Sequence, residues 1–87
     1  MFVLSQNKCV LIPILAHTFA ILPPKEGEEL YKIDAINVNN PNYPELTIGY
    51  FRTERFALMV LCEIGAMIDS EETVYMVPTE PEPSLLL

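Results

Sequence analysis

The residues of this chain that could do chemistry by their type and grouping are few: two cysteines, one histidine, and five glutamates in two groups. Cys9 and Cys62 with His17 could support thiol chemistry if the imidazole lay within hydrogen-bond reach of a sulfur and the thiol were activated. Their spacing argues for a blander role. The cysteines stand far apart with no C-x-x-C pair, and Cys62 falls in a helix interior, away from the N-terminal dipole that lowers a thiol pKa. No serine or carboxylate pattern around His17 makes a triad-like set. Two cysteines and one histidine do not complete a zinc site. Glu26, Glu28 and Glu29 form one acidic group and Glu71 and Glu72 the other. Neither has the alternating oxygen ligands over about 12 residues of a calcium loop. The asparagine-rich turn NNPNYP has neither the glycines nor the following lysine of a phosphate-cradling loop. The expectation is a protein that is not an enzyme and has no cofactor or metal.

Charge narrows the partners. Twelve acids against five bases give a net charge of −7 in 87 residues. The bases, Lys8, Lys25, Lys32, Arg52 and Arg55, are scattered, whereas phosphate backbones are bound by clusters of them. Nucleic acid is therefore not an expected partner. Lys8 followed by CVLIPIL and AHTFA loosely mimics a secretory signal, but Pro13 interrupts the apolar stretch and His17 follows it. The run from Cys9 to Leu22 is also too short for a bilayer-crossing helix, which takes about 20 residues. A cytoplasmic chain with no membrane partner, its thiols reduced, is the expected setting.

The elements that must position these side chains are legible in part. Thr53 to Ser70, TERFALMVLCEIGAMIDS, predicts a single helix over about 54–69, with Thr53 as N-cap and Glu54 at the dipole's positive end. Steps of 100° place Phe56, Ala57, Val60, Leu61, Ile64, Met67 and Ile68 on one broad face, predicted to meet a sheet. The other face carries Glu54, Arg55, Gly65 and Asp69, but also Leu58, Met59, Cys62 and Ala66. A lone monomer gives this second apolar stripe nothing to cover, so these four residues form the candidate interface, with a second copy or another protein as partner.

Around the helix the chain predicts strands. MFVLS and the segment from Cys9 form a hairpin turning near Asn7 and Lys8, with Val3 opposite Ile12 and Leu4 opposite Leu11. Asn7 is the residue expected to take positive φ. Apolar residues continue from Cys9 to Leu22, which fits a long strand covered on both faces or one that bends and changes sheets. Pro13 marks an edge, a bulge or the bend. Pro23-Pro24 and KEGEE form a charged connection pivoting at Gly27. LYKIDAINV alternates imperfectly, predicting a bulge near Asp34. ELTIGYFR forms a further strand with Leu46, Ile48 and Tyr50 on one face, and Gly49 predicts close approach of another backbone, such as the helix. TVYMV closes the set. The fold class expected is α+β, an antiparallel sheet of four to five strands with one helix packed on one face. Residues 1–77 form a single compact domain, and 78–87 a flexible Pro/Glu-rich tail ending in Leu85-Leu86-Leu87.

Three stretches carry a family resemblance. MFVLSQNK resembles the opening hairpin, M-[FW]-V-x-S-Q-[ND], of small uncharacterised proteins of Firmicutes-type Gram-positive bacteria and their phages or mobile elements. GYFRTERFALMVLCEI is similar to their Y-x-T-x-E-R-A-x-x-V-L-x-E-I segment. VYMVP, with Glu80 just beyond, is similar to their short closing strand with a Met-Pro ending. Ser5, Gln6 and Asn7 match the first turn, and Ala57, Val60, Leu61, Glu63 and Ile64 match the helix. Residues 14–42 carry no resemblance. The resemblance implies a compact α+β domain without an assigned activity and lends no catalytic residues. Met59 and Cys62 stand where it implies charged residues, making the outer helix face greasier. Together these features predict a self-associating interaction module of phage or mobile-element type. A second reading is an acidic decoy for a host nucleic-acid-binding protein, which would need both glutamate groups on one surface.

Overall fold

Pro13 decides where the chain leaves one sheet for another. It ends β2 with extended backbone (φ −66°, ψ 127°), and Ile14–Ala16 then form one turn of 3-10 helix. Lacking an N–H, proline cannot extend a ladder on both sides. The apolar run therefore splits into β2 (Leu11–Pro13) and β3 (His17–Leu22), which belong to different sheets. A computed structural model describes residues 1–40 and 42–81 of the chain. Pro41 of the asparagine-rich turn and residues 82–87, including the three terminal leucines, lie outside the described residues.

The remaining elements are β1 (Phe2–Leu4), β4 (Tyr31–Asn37), β5 (Leu46–Phe51), α1 (Glu54–Ala66) and β6 (Val74–Met76). Among the described residues the protein is α+β with one helix, as expected, but the single sheet of four to five strands is not what forms. Among the same residues there are two three-stranded sheets, ordered β2-β1-β6 and β3-β4-β5. The second is wholly antiparallel, whereas the first pairs β1 antiparallel with β2 and parallel with β6.

The opening hairpin has the predicted register, Val3 opposite Ile12 and Leu4 opposite Leu11. Its turn differs in one residue: Lys8, not Asn7, has positive φ (63°). Asn7 spends its side chain instead. Its Oδ1 accepts from the buried Ser5 hydroxyl at 2.7 Å and from Cys9 N–H at 3.0 Å, and Ser5 Oγ accepts from Val10 N–H at 3.1 Å. An asparagine folded onto its own turn leaves the left-handed position to its neighbour.

The bulge predicted near Asp34 is present between Ile33 and Asp34, with the extra residue on β5. Ile33 faces Gly49 and Asp34 faces Thr47, so Ile48 has no partner across the ladder. The bulge turns Ile48 inward beside the equally buried Phe51, while Leu46 and Tyr50 stay exposed. The three are thus not one buried face, because an inserted residue breaks the period of two. Asp34 is buried but satisfied, accepting from Thr47 Oγ1 at 2.7 Å with Lys32 Nζ at 3.8 Å.

Gln6 ties the two sheets together. Its N–H donates at 2.7 Å to the carbonyl of the bulged Ile48. Its side-chain amide then behaves like a strand residue: Oε1 accepts from Tyr50 N–H (3.0 Å), and Nε2 donates to Tyr50 O (3.1 Å) and Pro78 O (3.0 Å). Gly49 lies beneath this seam. A Cβ there would sit 2.9 Å from Phe51 Cζ and 3.0 Å from Val77 Cγ1, so the close approach is by side chains rather than by the helix backbone. Gly49→Ala should therefore destabilise the fold by about 1–3 kcal/mol through overpacking, measured as a lower urea midpoint.

Thr53 caps α1 as predicted, its hydroxyl accepting from Phe56 N–H at 3.2 Å. A second cap comes from far along the chain. Glu80 accepts from Arg52 N–H (2.7 Å), Thr53 N–H (3.1 Å) and Thr53 Oγ1 (3.0 Å). A carboxylate at a helix N-terminus satisfies unpaired donors and meets the positive end of the dipole. Residues 78–80 of the Pro/Glu-rich segment are thus attached at Pro78 and Glu80. Ala57, Val60, Ile64 and Met67 are the buried helix-side residues and join Val3, Ile12, Ile14, Ile33, Ala35, Ile48, Phe51 and Val77 in one core. Leu61 is half-buried. Ile68, predicted to be core, is 54% exposed. The chain tightens to 3-10 geometry over Met67–Asp69, which turns Ile68 off the inner stripe.

Candidate functional site

The reactive side chains are not brought together. Cys9 lies in the exposed hairpin turn, its thiol 3.4 Å from Asn7 O, and Cys62 is exposed on α1; both are free thiols. His17 Nδ1 is 2.9 Å from Pro13 O. A carbonyl only accepts, so this contact assigns the proton to Nδ1. The imidazole thereby fastens the 3-10 turn to the start of β3. Among the described residues no hydrogen bond joins His17 to a thiol, and no group of three or more His, Cys, Asp or Glu could hold a metal ion.

Among the described residues the one strongly perturbed ionisable group is structural. Tyr75 Oη donates to Glu63 Oε1 at 2.5 Å, tying β6 to the flank of α1. Its pKa is pushed well above the usual tyrosine value by burial first, then by the hydrogen bond to and the charge of Glu63. The phenol stays protonated across any physiological pH.

The two glutamate groups lie in different places. Glu26, Glu28 and Glu29 sit in the β3–β4 connection, where Gly27 takes φ 87° and Glu28 Oε1 accepts from Lys25 N–H at 3.0 Å. That connection leads into Tyr31, which pairs with Phe51 just before α1 begins. Glu71 and Glu72 follow the 3-10 turn that ends the helical segment. The two groups therefore sit toward opposite ends of α1 and do not make one acidic surface.

What does form a continuous surface is apolar. Burial of Ala57, Val60, Ile64 and Met67 leaves the opposite side of α1 to solvent. Leu58 is 46% and Met59 42% exposed, and Cys62 and Ala66 are exposed with them. The four candidate interface residues are not equivalent. Leu58, Cys62 and Ala66 recur at i, i+4 and i+8 and make one ridge. Met59 belongs to the other flank, with Thr53, Arg55 and Phe56 around a shallow hollow of about 380 Å³. Beside the Leu58 ridge runs a groove of about 400 Å³ lined by Leu15, His17, Phe19, Leu61, Gly65 and Ile68. Leu15, 72% exposed, stands at its rim with Ile68.

Sequence reasoning found the helix ridge from its period but missed the groove. Leu15 and Ile68 are both in 3-10 segments, where neither helical nor strand periodicity assigns a face. The apolar, proline-broken run was the only signal pointing there.

No family model, no curated protein and no solved structure matches this chain. Among the described residues, no helix is long and apolar enough to cross a membrane.

Proposed function

We propose that this protein is a small, non-enzymatic interaction module that acts in the cytoplasm by self-association. The observation that carries the reading is the continuous apolar surface made by the Leu58, Cys62 and Ala66 ridge and the adjoining groove. Removing large apolar side chains from water contributes about 1.5–3 kcal/mol each, and exposed apolar patches on small domains mark interaction sites. A closed two-fold dimer is the simplest assembly that covers such a patch. The phage or mobile-element setting rests on the resemblance of the opening hairpin, helix and closing strand. Separation of the two glutamate groups, one toward each end of α1, favours this reading over an acidic decoy.

Sedimentation velocity tests it. The chain should be dimeric at high micromolar concentration, and a clean monomer there would sink the proposal. Leu58→Glu combined with Ile68→Glu should give a monomer. Both side chains are about half exposed, so at concentrations low enough for the parent also to be monomeric the unfolding midpoint should hardly move, surface changes costing about 0.5 kcal/mol or less each.

A further inference from the structure

The second sheet has two edges, and the chain treats them differently. Along β5, Gln6 and Glu80 occupy the backbone groups of Ile48, Tyr50 and Arg52. Along β3 the outer groups are open. Val38 N–H donates to Ala16 O at 3.1 Å, which sets the phase of the β3–β4 ladder. Residues 16, 18, 20 and 22 direct their backbone toward β4, and His17, Phe19 and Ile21 direct theirs outward. His17 N–H is taken by Ile14 O. The C=O of His17 and the N–H and C=O of Phe19 and Ile21 remain, five main-chain groups with no hydrogen-bond partner among the described residues. The strand reads HTFAIL, without the charge, proline or bulge that ordinarily protects an edge.

We propose that β3 pairs antiparallel with β3 of a second copy about a two-fold axis at Ala20, making one six-stranded sheet with both helices on the same face. This rests on the self-association reading and gives it a geometry. Centring at Ala20 sets Phe19 opposite the partner's Ile21, and the two such pairs satisfy the four groups of Phe19 and Ile21, leaving only His17 C=O, which falls opposite a proline, Pro23, with no N–H to give. Centring at Phe19 would aim Ile21 C=O at the His17 N–H already in use.

A second copy is the occupant because the edge strand itself and the groove beside it carry no charge. Residues 9–22 contain none, nor do Leu58, Leu61, Gly65 and Ile68 along the groove. A chain of net charge −7 meets its like most readily on a face free of charge. Spacing agrees. The helix packs across β3, β4 and β5, so its axis lies near β4. From β4 to its symmetry mate is three strand spacings, about 14 Å. Helices in direct contact lie about 8–10 Å apart. The extra space of roughly 5 Å is what Leu15, Leu61 and Ile68 of both copies fill, converting two open grooves into one shared core.

Cross-linking tests the register. In a chain carrying Cys9→Ser and Cys62→Ser, Ala20→Cys faces its own copy in a non-hydrogen-bonded pair. The Cα separation there is about 4.5 Å, inside the range that a disulfide bridges. Thr18→Cys is the control. Thr18 is more exposed than Ala20, but four residues of offset put it about 13 Å from its symmetry mate. Mild oxidation should cross-link most of the Ala20→Cys chain and at least tenfold less of the Thr18→Cys chain. In the unmodified protein, exchange of the Phe19 and Ile21 amides should slow at least tenfold between low and high micromolar concentration. Equal or faster cross-linking at Thr18, or exchange at those amides independent of concentration, overturns the pairing. If the unmodified chain sediments as a dimer yet Ala20→Cys does not cross-link, the β3 pairing falls and self-association stands. A monomer removes both.

Discussion

Replacing Phe51 with alanine should cost about 3–5 kcal/mol, the usual penalty for emptying a buried aromatic site. Phe51 is 1% exposed and is the largest of the fully buried side chains. It packs against Phe56 at 5.6 Å between ring centroids, and its ring tip fills the space over Gly49. Truncation would take packing from the last residue of β5, from the first turn of α1 and from Val77 together. Small domains retain only about 5–15 kcal/mol in total, and each kcal/mol moves the midpoint of a domain this size by about 4–8 °C. Thermal unfolding followed by circular dichroism should show a drop of roughly 15–30 °C. A drop under 5 °C would mean that the site collapses around the cavity and that the two sheets are less rigidly coupled than described. Phe51→Leu, which leaves a smaller hole, should recover more than half of the loss.

Gln6→Ala should cost about 2–4 kcal/mol although the residue is not in the core. The substitution removes three hydrogen bonds to Tyr50 and Pro78, each with a net value of about 0.5–1.5 kcal/mol. It also opens the edge of β5 to water. Denaturant titration gives the magnitude, and amide exchange gives the mechanism. Tyr50 N–H, whose acceptor is Gln6 Oε1, should exchange at the rate of global unfolding in the parent and much faster in the variant. Gln6→Glu should fail to rescue, since a carboxylate keeps the acceptor for Tyr50 N–H but offers no donor to the carbonyls of Tyr50 and Pro78. Rescue by glutamate would show that the bonds to those carbonyls contribute little.

Local features were legible in the sequence, and long-range ones were not. The hairpin register, the Thr53 cap and the bulge at Asp34 follow from turn residues and periodicity within a few positions of each other. The split into two sheets was visible only as one of two options for the run from Cys9 to Leu22, because a proline marks a discontinuity without saying where the chain goes next. The parallel β1–β6 pair and the Glu80 cap unite segments with no local signal linking them. Gln6 reads as an ordinary turn residue until the bulge supplies a free carbonyl at Ile48. The candidate site divides in the same way. The helix ridge at Leu58, Cys62 and Ala66 follows from a 100° step, whereas the open edge of β3 depends on strand order, which periodicity does not encode.

The segment around residues 74–80 has a consequence for how the fold is reached. Gln6 bonds to Pro78 across 72 residues of sequence, β1 pairs with β6, and Glu80 completes the start of α1. The β1–β2 hairpin can form within about 1–10 μs of its residues becoming available. One edge of β1, the donors at the head of α1 and half of the Gln6 amide then wait for a single late-arriving stretch, at the entropic cost of closing a long loop. On a ribosome, that stretch emerges after every other described element. Among the described elements assembly therefore has one late latching step, and until it happens a growing chain exposes the open edge of β1 to whatever strand comes near.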